Sequence, residues 1–178
     1  MQDTIFLIFL LLFINSVMIL DNDKILRVCN RLACQIVEVS DGSNKIVLVG
    51  IKEKGFEIAK IIEKQIKFFS NKKVKLYPIK IEKINNNINS KIKFEHKFSN
   101  DCLIFIIDDV LNTGKTLFKC VNYFFNTEYV NIKTIVLIDR DHKKYPVNVD
   151  IKGVSLSTNF EDTVKVISEN KKLRAVLV

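Results

Sequence analysis

Five apolar residues, Leu103–Ile107, run directly into two adjacent carboxylates, Asp108 and Asp109, and this stretch constrains the fold more than any other. A short turn, Asn112-Thr113-Gly114-Lys115-Thr116, follows before an apolar helical pattern resumes at Leu117. A short continuous apolar run reads as a strand buried on both faces, as in a parallel sheet covered by helices. Such a strand delivers its last residues to the carboxyl edge of the sheet, where ligands of open α/β sheets bind. There a carboxylate pair can accept hydrogen bonds from vicinal sugar hydroxyls. The turn can offer backbone N–H groups and threonine hydroxyls to a phosphate at a helix start. This is the layout of a phosphosugar site.

The rest of the chain supplies the strand–helix alternation that a parallel sheet needs. Asp21 or Asn22 can cap a helix over residues 23–39, with Ile25, Val28, Leu32, Ile36 and Val37 at helical spacing. Lys45–Val49, bounded by Gly50, reads as a buried strand, and Gly55–Phe69 as a second amphipathic helix through Ile58, Ile61, Ile62, Ile66 and Phe69. Val74–Ile81 is predicted as a strand. Lys83–Ser99 is polar and basic with weak alternation at its end, which predicts a long loop or a mobile hairpin. The helix after Thr113 carries Leu117, Val121, Phe124 and Phe125, and Thr134–Asp139 reads as another strand. Val149–Val154, Val164–Ile167 and Leu173–Val178 are short strand-like runs. The fold expected is α/β, a parallel twisted sheet with helices on both faces. Gly50–Gly55, Asp108–Thr116 and Asp139–His142 all fall at strand C-termini, so three candidate loops converge on one edge.

With 178 residues the chain suffices for one domain with a proper core. Its net charge of +8 suits a polyanionic small ligand and also RNA. Lysine, isoleucine and asparagine abound and tryptophan is absent, however, as in a chain drifting under A/T-rich codon pressure, so the lysine excess argues weakly. Cys29, Cys34, Cys102 and Cys120 have neither CxxC spacing nor neighbouring histidines, and read as small hydrophobes in a reducing compartment. Ile5–Leu20 is almost wholly apolar, short for a spanning helix of ~20 residues, and lacks the basic start of a signal peptide. Residues 1–17 are read as an apolar extension, from an upstream start codon or serving as a weak anchor, and residues 18–178 as the working domain.

Residues 104–116 match the phosphoribosyl-pyrophosphate (PRPP) motif at every position: an apolar strand, two acids, two apolar residues, any residue, Thr-Gly, any residue, Thr. On this the chain resembles the type I phosphoribosyltransferases. Gly50-Ile51-Lys52-Glu53-Lys54-Gly55 is similar to the pyrophosphate loop of that family. Asp139-Arg140-Asp141-His142-Lys143-Lys144-Tyr145-Pro146 with Gly153–Thr158, and the opening helix with Asn30-Arg31-Leu32-Ala33, resemble the pyrimidine-operon attenuator branch. Members of that branch are uracil phosphoribosyltransferases and mRNA-binding regulators.

The resemblance implies the type I fold with a small hood from the N- and C-terminal segments, a cytoplasmic homodimer or higher homo-oligomer, and no membrane association. It implies transfer of the phosphoribosyl group of PRPP to a nucleobase, uracil or another pyrimidine, with Mg²⁺ and release of pyrophosphate in nucleotide salvage. Asp108 and Asp109 would hold the ribose hydroxyls and stabilise an oxocarbenium-like C1′, meeting the metal only through ribose or water. Asn112 would stand beside the base among the catalytic residues. Thr113, Gly114, Lys115 and Thr116 would bind the 5′-phosphate. Ile51, Lys52, Glu53 and Lys83 would meet pyrophosphate, and Arg140, His142 and Val154 the base.

Two departures are visible. The hypoxanthine-guanine branch has an aspartate where Asn112 stands, and an amide cannot take up a proton, although the attenuator branch also lacks an acid there. The attenuator branch has an arginine in its mobile loop, whereas Ile79-Lys80-Ile81-Glu82-Lys83 carries only lysines, without a bidentate fork. The alternative expectation is therefore a PRPP- or nucleotide-sensing RNA-binding regulator with little or no catalysis, using Arg27, Arg31 and the basic segment 83–97. A further alternative is a decayed relic of the fold.

Overall fold

The computed structural model describes residues 16–43, 45–84, 89–94, 96, 98, 102–126, 131–159, 161–170 and 172–178. The chain forms β1 (Val17–Leu20), α1 (Asn22–Val39), β2 (Lys45–Ile51), α2 (Lys52–Phe69), β3 (Lys73–Ile84) and β4 (Asn89–Lys93). It continues through β5 (Leu103–Leu111), α3 (Lys115–Phe125), β6 (Ile132–Asp139), β7 (Ile151–Ser155), β8 (Val164–Glu169) and β9 (Lys172–Leu177). Six strands lie in the order β4-β3-β2-β5-β6-β7, parallel throughout except for β4. A second, antiparallel sheet, β1-β9-β8, joins the first and last described elements into the expected hood.

Alternation along the central strands splits the core in two. Ile46, Leu48, Phe105, Ile107, Ile135 and Leu137 pack with α1, α2 and the hood. Val47, Val49, Ile104, Ile106 and Val136 pack on the other face with Leu117, Cys120 and Phe124 of α3. Both faces are thus covered, which is why these strands are uninterrupted apolar runs. Asp21 caps α1, its Oδ1 accepting from the Lys24 amide at 2.8 Å.

The structure differs from the sequence reading at two places. Gly50–Gly55 is not a loop: β2 runs on to Ile51 and α2 begins at Lys52, so strand passes into helix with no intervening turn. β5 extends past Ile107 to Leu111, because β6 keeps pairing with it as far as Leu111↔Asp139. The basic segment after Lys83 is the hairpin of the two options, with Asn89–Lys93 returning antiparallel along β3; its tip, 85–88, lies outside the described residues. The apolar extension and anchor readings concern residues of which 1–15 likewise lie outside the described set. β1 opens at Val17. No described helix is long and apolar enough to cross a membrane.

Candidate active site

The ladder between β2 and β5 stops at Gly50↔Ile107, whereas β6 accompanies β5 four residues further. Asp108 and Asp109 therefore stand just past the end of the β2–β5 ladder, where the sheet opens towards its carboxyl edge. Asp108 is only 8% exposed. Burial first, and the charge of Asp109 second, hold its carboxyl well above the usual carboxylate range, while Lys52 pulls the other way. The Asp109 amide donates to Asp108 Oδ1 at 3.0 Å, so the two acids are held as a unit.

The turn after β5 closes over these acids. Thr113, Gly114, Lys115 and Thr116 line one cavity of about 150 Å³ together with Lys52, Asp108, Asp109 and Asn112. Gly114 has φ of 80°, a left-handed conformation that favours glycine, and leads into α3. The Thr113 carbonyl accepts from the amides of Lys144 and Tyr145, which anchors the turn from behind. Among the described residues, no backbone carbonyl takes the amides of Thr113, Gly114, Thr116 or Leu117. Those orphan donors at a helix start are what a phosphate monoester requires.

Lys52 faces the acids from α2. Its φ of 53° places it in the left-handed region, which costs a non-glycine residue about 1–2 kcal/mol. Strained backbone of this kind clusters at ligand sites. Ile51, Lys52, Glu53, Lys54, Lys80, Ile81 and Asp109 line an adjoining cavity of about 570 Å³. Ile51 itself is fully buried, so it forms the wall and offers no polar side chain. Lys54 is turned aside to Glu57 Oε2 at 3.2 Å. Lys80 was missed by the motif reading. It reaches the site because the β2–β3 ladder ends at Ile51↔Ile79, so Lys80, next in β3, and Lys52, at the start of α2, both line this cavity. Lys83 lies in β3 opposite Ser90, and its side chain is outside the described set.

Arg140, His142 and Val154 line neither cavity. Arg140 is 7% exposed, and donates through Nη1 to Asn112 Oδ1 at 3.0 Å and through Nε and Nη2 to Thr158 Oγ1. His142 Nε2 lies 2.6 Å from the Thr158 carbonyl oxygen. The two basic residues are thus gathered on Thr158, which no local motif marked. Val154 sits in β7 opposite Ile138 and packs against the core. Asp139, before Arg140, is buried and ion-paired with Lys143 at 3.7 Å and Lys152 at 3.4 Å.

Among the described residues no cluster of three or more His, Cys, Asp or Glu side chains could hold a metal alone. Asp108 and Asp109 supply two carboxylates. That set fits Mg²⁺, which binds through one or two carboxylates, substrate phosphates and retained water.

Residues 16–169 match the family model described as "Phosphoribosyl transferase domain". The chain is 30% identical over 169 residues to the "Bifunctional protein PyrR" of Clostridium kluyveri, covering 90% of this chain and 96% of that protein. It is 29% identical over 168 residues to the protein of the same name from Staphylococcus aureus, with the same coverage. Among solved structures, hypoxanthine phosphoribosyltransferase from Trypanosoma cruzi in complex with the product IMP superimposes with a TM-score of 0.75 over 91% of this chain and 94% of the other, at 17% identity.

Proposed function

The chain belongs to the phosphoribosyl transferase domain family, the PRPP-dependent pentosyltransferases, and from that premise we propose that its acceptor is an oxo-pyrimidine, uracil first, in cytoplasmic nucleotide salvage. One observation carries the assignment of roles. Lys52, Asp108, Asp109 and the Thr113–Thr116 turn line a single cavity, so sugar, phosphate and leaving group have partners within one site. Asp108 and Asp109 accept the ribose hydroxyls; the turn amides and the hydroxyls of Thr113 and Thr116 take the 5′-phosphate. Lys52 and Lys80 face pyrophosphate.

The C1′–O bond breaks and its electron pair departs with pyrophosphate. The base nitrogen supplies its lone pair for the new C1′–N bond, and its proton leaves to water. Positive charge building on C1′ is met by the paired carboxylates, so the work of the chain is positioning and electrostatics. Asp108 and Asp109 would hold Mg²⁺ through ribose or water, and the ion when bound would supply charge neutralisation for pyrophosphate.

The test is base-dependent pyrophosphate release from PRPP with uracil, hypoxanthine, guanine, adenine and orotate. Release with uracil that vanishes in Asp108→Asn is expected. No release with any base, or release unaffected by that substitution, overturns the proposal. The word "bifunctional" in the relatives' name favours a second reading, a nucleotide-sensing RNA-binding regulator. Arg27 is exposed on α1 and available for phosphate contact, whereas Arg31 donates to the Gly153 carbonyl. RNA binding with a steep salt slope and no turnover would favour that reading. A homodimer is proposed as the working assembly, and sedimentation equilibrium measures it.

A further inference from the structure

We propose that Arg140 is a positioning residue which fixes Asn112 as a hydrogen-bond donor, and that Asn112 thereby selects a base presenting a lone pair at that point; this rests on the transferase reading. The argument begins with the guanidinium. Arg140 is nearly buried, and its donors go to Asn112 Oδ1 at 3.0 Å, to Thr158 Oγ1 at 3.0 and 2.8 Å, and to the Asn159 carbonyl at 3.1 Å. Four donor contacts leave it little capacity for a substrate.

A guanidinium only donates, so the atom of Asn112 facing it must be the amide oxygen. The usual ambiguity between amide oxygen and nitrogen is removed by this neighbour. The nitrogen, Nδ2, then remains as the polar atom of Asn112 without a hydrogen bond among the described residues. Asn112 is half-buried and lines the same cavity as Asp108 and Asp109. An amide nitrogen donates and neither accepts nor takes up a proton.

A base approaching Asn112 is therefore favoured if it presents a carbonyl oxygen or an unprotonated ring nitrogen. Uracil presents two carbonyl oxygens. A purine that reacts through one imidazole nitrogen must shed a proton from the other, and a donor there offers that proton no acceptor. The clamp is reinforced from the same side, since His142 holds the Thr158 carbonyl while Arg140 holds its hydroxyl. Arg140 thus acts on the base through Asn112, without touching it.

The experiment compares kcat/KM for uracil and hypoxanthine, and KM for PRPP, in the full chain and in Asn112→Asp and Arg140→Lys. Asn112→Asp replaces the donor with a carboxylate oxygen, paired to Arg140 on one side and able to accept on the other. The uracil-to-hypoxanthine ratio is expected to fall about tenfold or more in both variants, with KM for PRPP held within about twofold. A merely structural role would weaken both bases and PRPP alike. An unchanged ratio in Asn112→Asp, in an active enzyme, overturns the inference; if Arg140→Lys fails to fold, that variant still decides. If the natural chain turns over no base, the transferase reading fails separately, and calorimetry with UMP and IMP decides this one. A UMP preference lost in Asn112→Asp supports it, and equal affinities overturn it.

Discussion

Gly55 lies so close to Ile107 that an added Cβ would stand 2.6 Å from the Ile107 carbonyl oxygen and 3.2 Å from the Asp108 Cα. The first turn of α2 therefore rests directly on the end of β5, and this contact brings Lys52 beside the buried acid. Gly55→Ala must push helix and strand apart at backbone level, where neither can yield cheaply. We expect destabilisation of about 1–3 kcal/mol, read as a lowered midpoint in urea, with PRPP affinity falling further than stability explains. Unchanged PRPP binding would show that the α2–β5 contact does not set the site.

The carboxyl of Asp108 is raised in the folded state, so its effect on stability has a defined sign. The unfolded group titrates near 3.8 and the folded one well above it. Between those values the native state holds a proton that the unfolded state has lost, so stability falls as pH rises through the window and stays lower above it. Asp108→Asn cannot ionise and escapes this cost. The ligand-free variant is expected to melt higher than the natural chain at neutral pH, by about 2–4 °C per kcal/mol relieved. The gain should shrink as the pH approaches 3.8. Thermal melts across pH check this, and a gain independent of pH would contradict it.

Gly114 combines a φ of 80° with crowding: an added Cβ would lie 2.7 Å from Val147 Cγ1. Gly114→Val is therefore expected to cost stability as well as PRPP affinity. The backbone conformation alone costs about 1–2 kcal/mol for a β-carbon-bearing residue. Calorimetric titration with PRPP, beside a melting curve, separates the two losses. Full affinity in the variant would remove the turn from the phosphate site.

The thiols divide by burial. Cys29 and Cys120 are pushed up to about 12, Cys29 by burial and Cys120 by burial with the Asp108 charge adding to it. Cys102 is buried and Cys34 exposed. Since only thiolates react, titration with a chromogenic disulfide at pH 8 should modify Cys34 fast and the other three only on unfolding. Rapid modification of Cys120 would mean that the α3 face of the sheet opens in solution.

The proposed sugar and phosphate groups were legible because they are contiguous. Leu103–Thr116 carries its own strand, acids and turn, and local periodicity with turn chemistry suffices to place them. The surrounding helices and the parallel sheet followed from the same kind of pattern. The Gly50–Gly55 segment misled, because two glycines bracketing polar residues read as a turn. In the fold they are points of close approach, and strand runs straight into helix.

The amino-acid order by itself determined the alternation of elements, the carboxylate pair at a strand end and the amide-rich turn beside it. The tertiary structure alone decided that Lys80 lines one cavity with Lys52, that the Ile51 side chain is buried in its wall, and that Arg140 turns to Asn112, 28 residues away. The reason is physical. Periodicity and turn chemistry act over a few neighbouring residues, whereas ladder register and the partners of a buried guanidinium are fixed only when distant segments meet and must satisfy one another's hydrogen bonds.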